Sequence, residues 1–171
     1  KNKKKIIVKS NLRTNGNISL YEIKKIASLT GENINFLKDI KGTIDLKTDV
    51  NFNLNNFFQP KNITYSSGGN ISHLEIMLNE NKVVSSYLPD YTSKVIFKDV
   101  FIKLINSKLD SKLEIGGFFK TKDKFDDFKV KRIYNFKNRS SNVDGFINLK
   151  QNNIAIPNLN YKKSSGTKSK I

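Results

Sequence analysis

Between Gly42 and Phe58 the chain reads GTIDLKTDVNFNLNNFF, with apolar side chains at Ile44, Leu46, Val50, Phe52 and Leu54 and only Thr48 interrupting the series. The alternating partners Asp45, Lys47, Asp49, Asn51 and Asn53 are all polar. Successive side chains of an extended chain point to opposite sides, so this period of two predicts a strand with one dry face and one wet face. From Gly42 to Leu54 it would span about 43 Å, roughly twice the usual strand of a globular protein. Strands of this length build an extended sheet.

The N-terminal part departs from this pattern only once. Lys1 to Lys5 form a basic run before Ile6, Ile7 and Val8, a short strand, and Asn15-Gly16 signals a turn. From Ser19 to Leu29, Leu20, Ile23, Ile26 and Ala27 recur at the spacing of one helical face. Ser19 is the N-cap, Glu22 stands at the capping-box position and Gly31 follows as a stop. Asn33 to Lys41 reads as a strand or as a loop delivering the chain to Gly42.

Gln59-Pro60 ends the long strand, because proline offers no ladder donor. Ile63 and Tyr65 reopen an extended segment, Ser66 to Gly69 predict a kink or turn, and Ile71, Leu74, Ile76 and Leu78 resume the alternation. Asn79 to Lys82 turn the chain toward Val83, Val84, Tyr87, Leu88 and Pro89-Asp90. From Lys94 to Ile105 both phases are apolar, which requires either cover on both faces or a register shift near Asp99.

The second half reads as a meander. Leu109, Leu113, Ile115 and Phe119 alternate around Gly116-Gly117, a bulge or bend. Phe128, Val130, Tyr134 and Phe136 are in phase with Arg132. Val143, Gly145, Ile147 and Leu149 follow the Asn138–Ser141 turn, and Ile154, Ile156, Leu159 and Tyr161 make a last strand interrupted by Pro157. Strands joined by short polar turns pair antiparallel. The prediction is a single mainly β domain over 1–171, with one short helix at about 19–30 and a long-stranded, twisted antiparallel sheet over about 42–163. That sheet is open and groove-like, or a half-barrel.

Composition narrows the chemistry. Residues of hydrophobic type make up 37% of the chain and aromatics 11%, enough for a lean core. There is no Cys, which removes disulfides, thiol nucleophiles and Cys-ligated metals. The net charge of +16 comes from 31 basic and 15 acidic residues, and every basic residue except Arg13, Arg132 and Arg139 is Lys. Lysine spread along the whole chain, with abundant Asn and Ile, resembles the usage of an AT-rich genome more than a selected nucleic-acid face, which favours Arg. Attraction to anionic surfaces, acidic lipid headgroups among them, follows from the charge alone.

No catalytic constellation emerges. His73 is the single histidine and sits in a strand pattern. Asp123 and Asp126-Asp127 lie in or near a Lys-rich turn, where adjacent carboxylates point apart and read as solvated. No nucleophile elbow or phosphate-cradling loop is present, and the N-x-S/T triplets at Asn17, Asn62, Asn70 and Asn138 are what an Asn-rich chain supplies by chance. The expectation is a protein without enzymatic activity, cofactor or metal.

Gly42 to Leu46 leading to Leu54 and Pro60, then Asn70 to Leu74, Ile115-Gly116-Gly117-Phe118 and Ile154-Ala155-Ile156-Pro157-Asn158-Leu159-Asn160-Tyr161, resemble the AsmA-like family, within it the large YhdP/TamB type of Gram-negative bacteria. The likeness covers most of the chain from Gly42 and consists of G-x-I/L-D-L alternation in recurring sheet segments. It implies a β-groove in the periplasm, held at the inner membrane by a segment outside these residues, that carries phospholipid toward outer-membrane assembly. A chain starting at Lys1 would be a fragment of such a protein, with the rest of the polypeptide as its neighbour. The lipid-contact residues then expected are Ile44, Leu46, Val50, Phe52, Leu54, Leu74, Ile76, Leu78, Leu113, Ile115, Ile147 and Leu149. The competing expectation is a closed structural or adhesive β-domain that binds protein partners, followed by nucleic-acid binding through the Lys excess.

Overall fold

A computed structural model of the chain describes residues 6–30 and 33–167. Seven strands follow one another in space as in sequence, each antiparallel to the last: β1 (Ile6–Ser19), β2 (Leu37–Leu54), β3 (Pro60–Leu78), β4 (Lys94–Asn106), β5 (Asp110–Lys120), β6 (Asp126–Asn135) and β7 (Ser140–Ile147). Helix α1 (Leu20–Thr30) joins β1 to β2, and a one-and-a-half-turn helix α2 (Lys82–Tyr87) lies between β3 and β4. Strands β8 (Ile154–Ile156) and β9 (Tyr161–Lys163) pair only with each other. The protein is thus mainly β, with two short helices. Its sheet is open: β1 bonds only to β2 and β7 only to β6, so the two edges never meet to close a barrel.

The strands are longer than the alternation alone predicts. β2 begins at Leu37, which resolves the Asn33–Lys41 stretch into an approach followed by strand, and β3 runs 19 residues, about 60 Å at ~3.3 Å per residue. Two predicted turns are absent. Asn15-Gly16 lies inside β1, where Gly16 pairs with Ile44, and the Ser66–Gly69 stretch lies inside β3. Gly69 is there because a Cβ at that position would come within 2.0 Å of the Asp45 carbonyl oxygen on β2. It marks a close backbone approach, not a bend.

Around Asp99 the register-shift alternative holds. β4 and β5 pair Phe97 with Phe119, then Phe101 with Gly116, so one residue is inserted between them. Asp99 takes a left-handed φ of 50°, and a Cβ on Gly117 would meet Val100 Cα at 2.8 Å. The shift swaps the phase of β4, which puts Val95 and Phe97 on the same face as Val100, Ile102 and Leu104, while Ile96, Phe101 and Ile105 take the other face.

Two further expectations are corrected. Val83, Val84 and Tyr87 belong to a second helix, started by Asn81, whose side chain accepts from the Val83 and Val84 amides. The stretch from Ile154 to Tyr161 is not a strand of the main sheet but a hairpin turned at Pro157–Leu159, so the sheet ends at Ile147. Near the N-terminus, Ser19 and Glu22 do form the expected cap: Glu22 Oε2 accepts from the Ser19 amide at 2.8 Å. The basic run at 1–5, the stop at Gly31, the side chains of Ile26 and Ala27 and positions 168–171 lie outside the described residues.

Candidate functional site

Residues paired across an antiparallel ladder share a face, and faces alternate along each strand. Following the register from β1 to β7 puts Val8, Leu12 and Ile18 with Ile40, Ile44, Leu46, Val50, Phe52 and Leu54 on one face. The same face continues through Ile71, Leu74, Ile76 and Leu78 of β3, then Val95, Phe97, Val100, Ile102 and Leu104 of β4. Leu113, Ile115 and Phe119 of β5, Phe128 and Val130 of β6, and Val143 and Ile147 of β7 complete it. The bulges at β2–β3 and β4–β5 correct the phase so that the apolar series never crosses to the other side. Eleven of the twelve expected contact residues stand on this face; the twelfth, Leu149, lies in the connection after β7.

The opposite face holds the ion pairs of the sheet, interspersed with Ile96, Phe101, Ile105, Phe118, Ile133 and Phe146. Arg13 grips Asp45 with two hydrogen bonds of 2.9 and 3.1 Å and holds that carboxyl below the usual range. Lys129 pairs with Glu114 at 2.8 Å, and Lys94 with Glu75 at 2.8 Å. His73 sits on this side between Thr43 and Lys98, exposed. Solvated pairs of this kind contribute little individually but keep this face wet.

Cover on the apolar face is confined to one end. The long connections, α1, α2 and the segment from Asn148 onward, all fall where β2, β4 and β6 begin. There Phe97, Phe119 and Phe128 pack with ring centroids 5.6–6.4 Å apart, and Ile40, Ile71, Val95, Val100 and Phe119 are buried. A polar latch closes this end. Asp126, read from sequence as solvated, is buried; its carboxylate accepts from the Gln151 amide at 2.9 Å and from Asn152 Nδ2 at 3.0 Å. The Asn152 side-chain oxygen accepts from Thr121 at 2.7 Å. Lys163 Nζ, also buried, donates to the carbonyls of Leu149, Lys150 and Asn152 at 2.9–3.2 Å. Because the Asp126 side chain stands on the apolar face, these bonds bring the 151–152 segment down onto that face.

Toward the other end no second layer of secondary structure lies over the face among the described residues. Ile44, Leu46, Val50, Phe52, Leu54, Leu113 and Ile115 are only half-buried; nearer the covered end Leu74, Ile76 and Leu78 are half-buried too, and Ile147 is exposed. Of the paired strand positions on this face, Asp126 and Arg132 alone carry charge. Arg132 lies in a depression of about 530 Å³ that Tyr65, Leu104, Asn106, Ser111, Leu113, Tyr134 and Phe136 also line. Its Nε donates to Ser141 Oγ at 3.1 Å, and its guanidinium lies 5.7 Å from the Tyr134 ring centroid.

The face can therefore take an extended apolar chain, with one guanidinium near the uncovered end for an anionic group. Phe97, Val100, Ile102, Leu104 and Val130 belong to it as much as the residues expected from alternation. For the four on β4 the pairing with the neighbouring strands reveals this, because β4 itself changes phase. Among the described residues no group of three or more His, Cys, Asp or Glu is placed to hold a metal, and no helix is long and apolar enough to cross a membrane. No family model, curated protein or solved structure matches this chain.

Proposed function

We propose that this chain is a segment of an AsmA-like periplasmic protein whose open sheet shields phospholipid acyl chains on their way to the outer membrane, with the inner-membrane anchor in a part of the polypeptide outside these residues. The observation that carries this reading is the continuous apolar face, half-buried and without a second layer toward the end of the tight turns, backed by a face that holds the ion pairs of the sheet. A closed domain would bury such a face in a second layer. Each apolar contact contributes on the order of 1 kcal/mol, which suits a chain sliding along a trough rather than a ligand locked in a pocket. No catalytic step is involved.

The test is native mass spectrometry with lipid extraction on the purified chain. Copurifying phospholipid, lost in Leu46→Glu and Phe52→Glu variants that keep the far-ultraviolet circular dichroism of the parent, supports the trough. A lipid-free, folded monomer overturns it. That outcome would favour a second reading, a structural domain that binds protein partners, for which the bare β7 edge is the supporting observation: Val143, Phe146 and Ile147 are exposed and no Lys or Pro interrupts Ser140–Ile147.

A further inference from the structure

The three tight turns of the sheet, 55–59, 107–109 and 136–139, all lie at the uncovered end, because the larger connections occupy the other. Each carries an exposed apolar side chain, although the Phe136 ring also packs edge-on to Tyr134 at 5.5 Å. Phe57 is 81% exposed, Phe58 73%, Leu109 71% and Phe136 42%. These tips are held by the same device at each turn. Asn55 Oδ1 accepts from the Phe57 and Gln59 amides at 2.9 Å, Ser107 Oγ from the Leu109 and Asp110 amides at 3.1 and 3.0 Å, and Asn135 Oδ1 from the Lys137 and Asn138 amides at 2.9 and 3.3 Å. Phe58 is kept at a left-handed φ of 57°, a conformation that a bulky side chain adopts only when its surroundings impose it.

The two ends differ in where their acidic residues fall. The tips carry Lys108, Lys137 and Arg139, with Lys61 just behind them, and no acidic residue. Asp110, which borders the middle turn, is engaged by Ser107 at 2.7 Å and Lys112 at 3.1 Å. The connections at the covered end mix Glu22, Glu80, Asp90 and Asp123 with more numerous lysines, Lys24, Lys25, Lys82, Lys122 and Lys124 among them.

We propose that these three turns dock the protein on an anionic lipid bilayer, with Phe57, Phe58, Leu109 and Phe136 entering the interface and the neighbouring Lys and Arg lying against acidic headgroups. Exposed aromatic and apolar side chains flanked by cations are what an interface between water and acyl chains takes up, gaining buried apolar area and headgroup attraction together. This placement goes beyond the trough reading and stands on different residues: a sheet that carried no lipid would still dock by its tips, and one that did not dock could still hold a lipid. If both hold, the apolar face opens at the bilayer.

The chain contains no Trp, so one introduced Trp reports alone. Phe57→Trp and, as the control at the covered end, Val83→Trp are mixed with phosphatidylcholine vesicles with and without phosphatidylglycerol, some carrying brominated acyl chains. The expected result is a blue shift and bromine quenching for Phe57→Trp on the anionic vesicles alone, with Val83→Trp unchanged. In vesicle flotation, Phe57→Ser/Phe58→Ser should weaken binding by about tenfold or more, as should Lys108→Glu/Lys137→Glu/Arg139→Glu. Absence of vesicle binding overturns the proposal, and so does binding in which Phe57→Trp stays unquenched or Val83→Trp is quenched. Neither result bears on lipid copurification, which the tip variants should leave intact.

Discussion

Asp126 and Lys163 are buried polar side chains held by hydrogen bonds to the Gln151 amide, Asn152 Nδ2 and the carbonyls of Leu149, Lys150 and Asn152. Such groups stabilise only while their partners remain, because an orphaned buried donor or carbonyl keeps its full desolvation cost. Asp126→Ala should therefore destabilise the protein by about 2–4 kcal/mol in urea titration, and hydrogen exchange should show the Gln151 amide losing protection before the β4–β5 ladder does. The exposed carboxylates behave differently. Hydrogen bonds from Arg13 to Asp45, from Ser107 and Lys112 to Asp110, and from Lys129 to Glu114 hold these carboxyls below their ordinary values. A lowered folded value means that their stabilisation is present above the ordinary carboxylate range and is lost as pH falls through the folded value. Carboxyl-detected NMR titration should find Asp45 charged at lower pH than a free aspartate, and Arg13→Ala should bring it back up.

At the level of strands and turns, the glycines separate into two kinds that composition does not distinguish. Gly69 sits where β2 and β3 backbones approach too closely for a Cβ, whereas a Cβ at Gly16 on the β1 edge meets nothing within 4 Å. Gly69→Ala should cost more than about 2 kcal/mol in thermal or urea melts, since backbone, not a movable side chain, must give way. Gly16→Ala should be neutral or stabilising by up to about 1 kcal/mol, because it trims the freedom of the unfolded chain. In both cases the dipeptide context, Asn-Gly and Gly-Gly, reads locally as a turn, and in both the ladder prevails: partners on the next strand supply more bonds than a turn would. Helix α2 escaped the alternation for the converse reason, six residues being too few to display a helical period.

For the molecule as a whole, the decisive asymmetry is between the ends. A latch, an aromatic cluster and the helices gather at one, and three bare turns with cations occupy the other. The two proposed activities should part under salt. Vesicle docking draws on exposed Lys and Arg and weakens as ionic strength rises, while lipid held on the apolar face is retained or held more firmly.

The sequence by itself determined the sheet, its antiparallel order and, between bulges, which side chains of a strand stand together, because side-chain alternation is a property of the extended backbone and needs no partner to be read. Eleven of twelve expected contact residues share one face for that reason. Only the tertiary structure decided what covers that face. Asp126 became a buried anchor, and the last predicted strand a hairpin, through bonds spanning 25 residues or more and through pairing that the main sheet does not share. The common end of the three bare turns, likewise, exists only once seven strands have been laid side by side.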